Sequence, residues 1–235
     1  MRGKGMICAA LLGTLGLTLP LSGAPPVPAL AEDRGKLRIL QDGQLMGTEE
    51  FSIGRSGQAW MCHGSVELKI PGAGSASVSS QMQLSAEGAL QQYTWTSKSD
   101  RKVTGGVIFS GSVAQLEVRV DNTQPYSQEF QFDSTRIVIL DNNLFHHYLI
   151  LAQLYDWNTR GSQTFSVLIP QALTPGTIAV EWGGSTEVDG AKMDLLRVRS
   201  PDLEVEIYVA AGKVMRLAVP SAKVLIQREG AVKAQ

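Results

Sequence analysis

Cysteine is nearly missing from this chain: Cys8 and Cys62 are the only two in 235 residues. Two thiols make neither a disulfide scaffold nor a thiolate metal cluster. Excess charge is missing too, with 21 Lys+Arg against 22 Asp+Glu and a formal net charge of −1. No electrostatic pull toward nucleic acid or an anionic membrane surface follows from such a balance. Aromatic residues make up only 6%. No Gly-rich phosphate loop precedes a helical segment, and no Gly-x-Ser-x-Gly elbow surrounds a serine, which removes the common nucleotide-binding and α/β-hydrolase signatures. No cofactor is implied.

The one long apolar run lies at the start. Arg2 and Lys4 precede Met6 to Leu21, a stretch broken by Pro20 and too short for a comfortable membrane span. This pattern predicts a secretory signal over residues 1–31, with Ala29-Leu30-Ala31 as the small-x-small cleavage site and Glu32 as the first mature residue. Export to the periplasm or the extracellular space is expected, with no membrane-spanning segment after cleavage. Ser22-Gly23-Ala24 is the poorer site because Pro25 follows it. Cys8 leaves with the leader, so Cys62 remains without a partner and reads as a buried small hydrophobe. His63 is adjacent, but neighbouring strand residues point to opposite faces, which places this imidazole badly for activating the thiol.

What is abundant is period-two alternation. Ala114 to Val120 puts Leu116, Val118 and Val120 on one face and Gln115, Glu117 and Arg119 on the other, as a half-buried strand requires. Val66 to Ile70, Val205 to Val209 and Met215 to Val219 repeat the pattern. Turn signals at Asp42-Gly43, Gly54 to Gly57, Glu87-Gly88, Gly105-Gly106, Asp189-Gly190 and Ala211-Gly212 predict antiparallel hairpins. Eight or nine strands are expected from Glu32 to Leu140 and about six from Trp157 to Arg228. Pro71 to Ser75 and Pro170 to Pro175 read as loops, and no domain linker interrupts residues 32–235. The fold class is all-β: one long antiparallel meander, curled into a barrel or bent roll.

One helix breaks the alternation, over about residues 144–155. Asn143 is its expected N-cap, and Leu144, Tyr148, Leu151 and Tyr155 fall within a narrow arc at 100° per residue. Such a helix, ~18 Å long, is expected to plug or cover the curved sheet.

Taken in order, these features resemble a family of secreted bacterial β-proteins known only as domains of unknown function. The resemblance rests on Asp42-Gly43-Gln44-Leu45-Met46-Gly47-Thr48 as an early hairpin, followed by Asp141, Tyr148, Leu149, Leu151 and Gly161. The chain departs from that pattern at Gln153 to Tyr155, where no Arg closes the helix. More remotely, a curved sheet with a helix plug is similar to lipoprotein carriers and other extracytoplasmic lipid binders. That likeness implies a binding cavity.

No catalytic or metal-binding residue is singled out. His146-His147 is the only close imidazole pair, yet consecutive helical residues diverge by about 100° and do not converge on one ion. His147 is expected at the edge of the apolar arc and His146 on the polar side. A mixed site with His63 stays open. Glu204 and Glu206 alternate with Val205 and Ile207, placing them on a solvated face, and nothing in the spacing selects a carboxylate pair. Aromatics are the faint positive signal. Trp60, Trp95, Tyr148, Trp157 and Trp182 are the candidate lining of a ligand pocket, although core packing accounts for them equally well.

Three functional classes remain. The first is a non-enzymatic extracytoplasmic binder of a lipid, glycolipid or other hydrophobic small molecule. The second is a secreted hydrolase using His146 or His147 with Asp141 or Asp156. The third is a scaffold that docks another envelope protein by a sheet edge.

Overall fold

The computed structural model describes residues 30–70, 74–201 and 203–230. Residues 1–29 of the expected 1–31 leader and the Pro71 to Ala73 part of the expected loop lie outside the described residues. Nine strands precede the helix: β1 (Asp33–Gln41), β2 (Gln44–Ser56), β3 (Ala59–Ile70), β4 (Gly74–Leu84), β5 (Leu90–Lys98), β6 (Lys102–Ser110), β7 (Val113–Val120), β8 (Tyr126–Gln131) and β9 (Ile137–Ile139). Helix α1 (His146–Leu154) follows. Six strands follow it among the described residues: β10 (Gln163–Ile169), β11 (Thr174–Val188), β12 (Ala191–Arg199), β13 (Glu204–Ala210), β14 (Lys213–Val219) and β15 (Val224–Arg228).

The expected all-β meander is present, and its hairpins follow from local chemistry. At Asp42-Gly43 and Asp189-Gly190 both residues have positive φ, 49° and 79° in the first turn and 51° and 78° in the second. Two-residue hairpin turns demand that conformation, and the Asp-Gly pair tolerates it. Gly105-Gly106 behaves otherwise: it lies inside β6 rather than at a turn. Gly105 pairs with Trp95 across the ladder, and a Cβ at Gly105 would run into the Trp95 indole. The glycine is there to seat the ring, which competes with its value as a turn former.

All fifteen strands form one sheet, in the order β8 to β1 followed by β15 to β9. β1 and β15 pair in the middle, so the two ends of the meander meet there, while β8 and β9 are left as the edges. A flat sheet of this size would hold its edges roughly 65 Å apart at ~4.8 Å per strand. The chain from Gln131 to Ile137 can span only about 20 Å. The sheet must therefore curl right round, yet its edges are not hydrogen-bonded to each other.

Burial tells how the curl ends. Most strands alternate between buried and exposed residues, but Ile137 to Ile139 of β9 and Phe165 to Leu168 of β10 are buried without interruption. Both faces of this edge are covered, and the short 3₁₀ turn that follows β10, Pro170–Ala172, lies against β6. The result is an unclosed roll whose β9–β10 edge is covered on both faces.

The interior is filled by the inward residues of the strands and by α1. Leu149, Ile150, Leu151, Ala152 and Leu154 are buried, as are both histidines at its start. A helix buried on nearly every side is a plug rather than an amphipathic lid. The expectation of one apolar arc facing a sheet is therefore corrected: His146 and His147, assigned to a polar side and an edge, have relative exposures of 0% and 1%. Leu30 also belongs to the core, close to Gly88 and Leu154, and the Ala31 N–H donates to Gln153 Oε1 at 2.8 Å. No described helix is long and apolar enough to cross a membrane.

Candidate functional site

The site is built around the two ends of α1. The first turn of an α-helix leaves backbone N–H groups without intrahelical partners, and this helix supplies no local remedy. Phe145 is its N-cap, no side chain of the cap accepts a bond, and no acidic residue lies in the first turn. Asn143, the expected cap, sits instead at φ 62° in the preceding turn.

Glu49 takes over from across the fold. Its position on β2 shares the inward phase of Phe51 and Ile53, so its carboxylate enters the interior, where it is 0% exposed. Oε2 accepts from the Phe145 N–H at 2.8 Å and Oε1 from the His146 N–H at 3.3 Å. Oε1 also lies 2.6 Å from His146 Nδ1. Since both oxygens already accept from backbone donors, the ring contact assigns its proton to Nδ1. A carboxylate at a helix N-terminus also meets the positive end of the helix dipole. Gly64 makes the space: a Cβ there would collide with the His146 ring and crowd Glu49 Oε1.

Asp141 and His147 form the adjoining pair. Asp141 Oδ2 accepts from the Tyr93 hydroxyl at 2.8 Å, and Oδ1 accepts from the backbone N–H groups of Asn142 and Gln171, each at 3.0 Å. The Asp141 N–H donates to His147 Nδ1 at 3.1 Å. That bond fixes the neutral tautomer protonated at Nε2. Burial, joined by the neighbouring His146, pushes the His147 pKa well below its ordinary value of 6.5. Burial likewise raises Asp141, against the hydrogen bonds from Tyr93 and Gln171 that pull it down. The two imidazoles lie with centroids 4.3 Å apart. The 100° divergence of their Cβ vectors does not separate the rings, because each side chain bends back past the helix start to its own partner. Neither Nε2 has a hydrogen-bond partner. Among the described residues no cluster of three or more His, Cys, Asp or Glu side chains is arranged to hold a metal ion.

At the other end, Arg136 Nη2 donates to the Leu154 carbonyl at 3.2 Å and the Trp157 indole N–H to the Ala152 carbonyl at 2.9 Å. Trp157 is thus a helix-end donor. Asp156, the other expected catalytic carboxylate, accepts at Oδ1 from the Asn158 N–H, and its own N–H donates to Gln163 Oε1. Cys62 is buried, with its thiol pKa pushed up to about 12 by desolvation, and His63 is exposed on the opposite face. This matches their expected places.

A cavity of about 640 Å³ opens between residues 140–148 and the β10–β12 part of the sheet. Leu140, Leu144, Val167, Ile178 and Val198 are its buried lining, and Asn142, Asn143, Thr174 and Leu203 are exposed at its rim. Of the five expected pocket residues, Tyr148 lines it. Trp60 and Trp95 are buried core residues; Trp157 and Trp182 are half-buried elsewhere, Trp182 beneath the Arg160 guanidinium at 4.7 Å. A second hollow, of about 770 Å³, lies on the outward face of β5–β8 among Thr94, Gln115, Glu117 and Arg119. Most of its walls are solvated strand positions, whereas the first cavity has a buried apolar floor.

Glu49 is the residue that sequence reasoning passed over. The available signal was its phase: a carboxylate two residues before Phe51 and four before Ile53 stands on the buried side of a strand.

No family model matches this chain, and no curated protein does. Among solved structures it is similar to a beta-barrel-like protein of domain of unknown function DUF1849 from Brucella abortus. The identity is 8% and the TM-score 0.54, over 85% of this chain and 95% of that one. That likeness is one of fold: a long β meander arranged in a barrel-like way.

Proposed function

We propose that this chain is an extracytoplasmic, non-enzymatic binding protein whose ligand is a lipid, glycolipid or other hydrophobic small molecule. The observation that carries the reading is the cavity beside α1, about 640 Å³ with an apolar floor, within the range of roughly 300–1,000 Å³ in which small-molecule sites fall. Its wall is held by fixed contacts, since Glu49 and Asp141 anchor the segment that enters the helix. The exported setting rests on the N-terminal residues 1–31.

The hydrolytic alternative has less behind it. His146 is paired with Glu49 rather than with Asp141 or Asp156, and both imidazoles are sealed from solvent. The scaffold alternative rests on β8, an edge strand of the sheet.

Protein purified from its own exporting host, extracted with organic solvent and examined by mass spectrometry, is expected to release a stoichiometric apolar compound. Gly176→Phe provides the control. Gly176 lines the mouth, and a Cβ there meets only Val167 Cγ1 at 3.5 Å, so the ring enters the cavity without backbone strain. The variant is expected to fold and to lose the ligand. Retention of the same compound by a folded Gly176→Phe protein would place the ligand elsewhere, and release of no compound together with failure to take up any amphiphile would reject the function.

A further inference from the structure

The charge of the ligand is written into the same cavity; this step rests on the proposed function. The described walls carry no Lys, Arg or His side chain. The nearest strand that brings arginines is β12, where Val198 lines the cavity while Arg197 and Arg199, on the alternate phase, turn to the other face. Both are engaged there: Arg199 with Glu181 at 2.7 Å and Glu204 at 3.2 Å, and Arg197 with Glu204 and Glu206 at 3.8 Å each. Among the described lining and β12 residues, no free cation faces an acidic head group.

The described wall does hold one formal charge, the Asp141 carboxylate, 4% exposed. It repels a second anion. It also offers little to a cation, because Oδ2 is taken by the Tyr93 hydroxyl and Oδ1 by two backbone N–H groups. Among the described residues the polar side chains of the rim, Asn142, Asn143, Thr174 and Ser200, are neutral. An ionised head group drawn in from the rim toward the buried Asp141 carboxylate meets no described counter-charge and is disfavoured, while hydroxyl, ester and amide groups are served by such a rim.

We infer that the ligand of this cavity is an uncharged amphiphile, with an apolar chain on the Leu144–Val167–Ile178–Val198 floor and a neutral hydrogen-bonding head at the Asn142–Thr174–Ser200 rim. A monoacylglycerol is a simple member of that class. Free fatty acids and anionic phospholipids fall outside it.

The test uses solvent-stripped full-length exported protein and three probes of equal chain length: a monoacylglycerol, the corresponding fatty acid at pH 8, and the corresponding alkyl trimethylammonium. Affinities are measured by competition against one fluorescent acyl probe. The monoacylglycerol is expected to bind at least tenfold more tightly than either ion. Equal or tighter binding of the fatty acid or the ammonium overturns the inference while leaving a hydrophobic binder in place. Binding of neither the fluorescent probe nor any of the three competitors overturns the inference and the proposed function together. A second variant reads the charge rule directly. Thr174→Lys adds a cation to the exposed rim and is expected to raise fatty-acid affinity at least tenfold; an unchanged preference in that folded variant also overturns the inference.

Discussion

Glu49 of β2 and His146 of α1 stand 97 residues apart in the chain, and their side chains meet at 2.6 Å with neither exposed to solvent. The contact ties the centre of the sheet to the start of the plug. It also caps a helix whose own sequence offers no cap.

Removal of the carboxylate leaves the Phe145 N–H, the His146 N–H and a buried ring without their acceptor. Breaking a buried, hydrogen-bonded pair from one side costs about 3–5 kcal/mol. Glu49→Ala is expected to lose that much stability in urea denaturation. Glu49→Gln is expected to lose less, since its amide oxygen still accepts one bond. A loss under about 1 kcal/mol for the Ala variant would show that the cap contributes little.

Gly64 and His146 compete for one volume. Gly64→Ala is expected to destabilise by about 1–3 kcal/mol, the usual penalty of overpacking a core. In a His146→Ala background the methyl finds room, and most of that penalty should vanish. A double-mutant cycle measures the coupling; strictly additive effects would mean that the two residues do not crowd one another.

His147 gives stability a pH dependence of known sign. Its folded pKa lies well below 6.5 because burial disfavours the imidazolium. Below pH 6.5 the unfolded chain therefore takes up a proton that the folded chain refuses, and stability falls with decreasing pH until the lower folded pKa is reached. The slope from this group is at most about 1.4 kcal/mol per pH unit. Urea unfolding across pH 7 to 5 should show the decline, and His147→Phe should flatten it. Asp141 contributes the opposite slope at lower pH: its folded pKa is raised by burial, so its contribution is full below the ordinary 3.8 and is lost as pH rises through the folded value.

The burial of Leu30 bears on processing. A cut after Ala31 would remove a core side chain and the Ala31 N–H bond to Gln153. The exported protein is expected to retain Leu30, and its intact mass decides the matter; a chain starting at Glu32 would show that the mature core closes without it.

Much of the architecture was legible in the sequence because strands and hairpin turns are local signals. Alternation at Leu116, Val118 and Val120 and the Asp-Gly pairs needed no distant partner to be read. The Gly105-Gly106 reading failed because the same residue type serves a turn and a close ring contact, and only Trp95, placed opposite by the register, distinguishes them. The helix was placed to within about two residues, but its environment was not. A 3.6-residue period identifies the faces of a helix, not how many of them are covered.

Composition and alternation by themselves determined an all-β meander with one short helix, carrying at most one thiol beyond its N-terminal apolar segment. Those properties reside in residues a few positions apart, where backbone geometry dictates the period. Only the tertiary structure decided that the helix is capped by Glu49 and Arg136, that both histidines are buried and that a cavity with an apolar floor opens beside the helix start. Each depends on which distant residues a curled sheet brings together, and the sheet has to curl because the five residues between β8 and β9 are too few to reach across it laid flat.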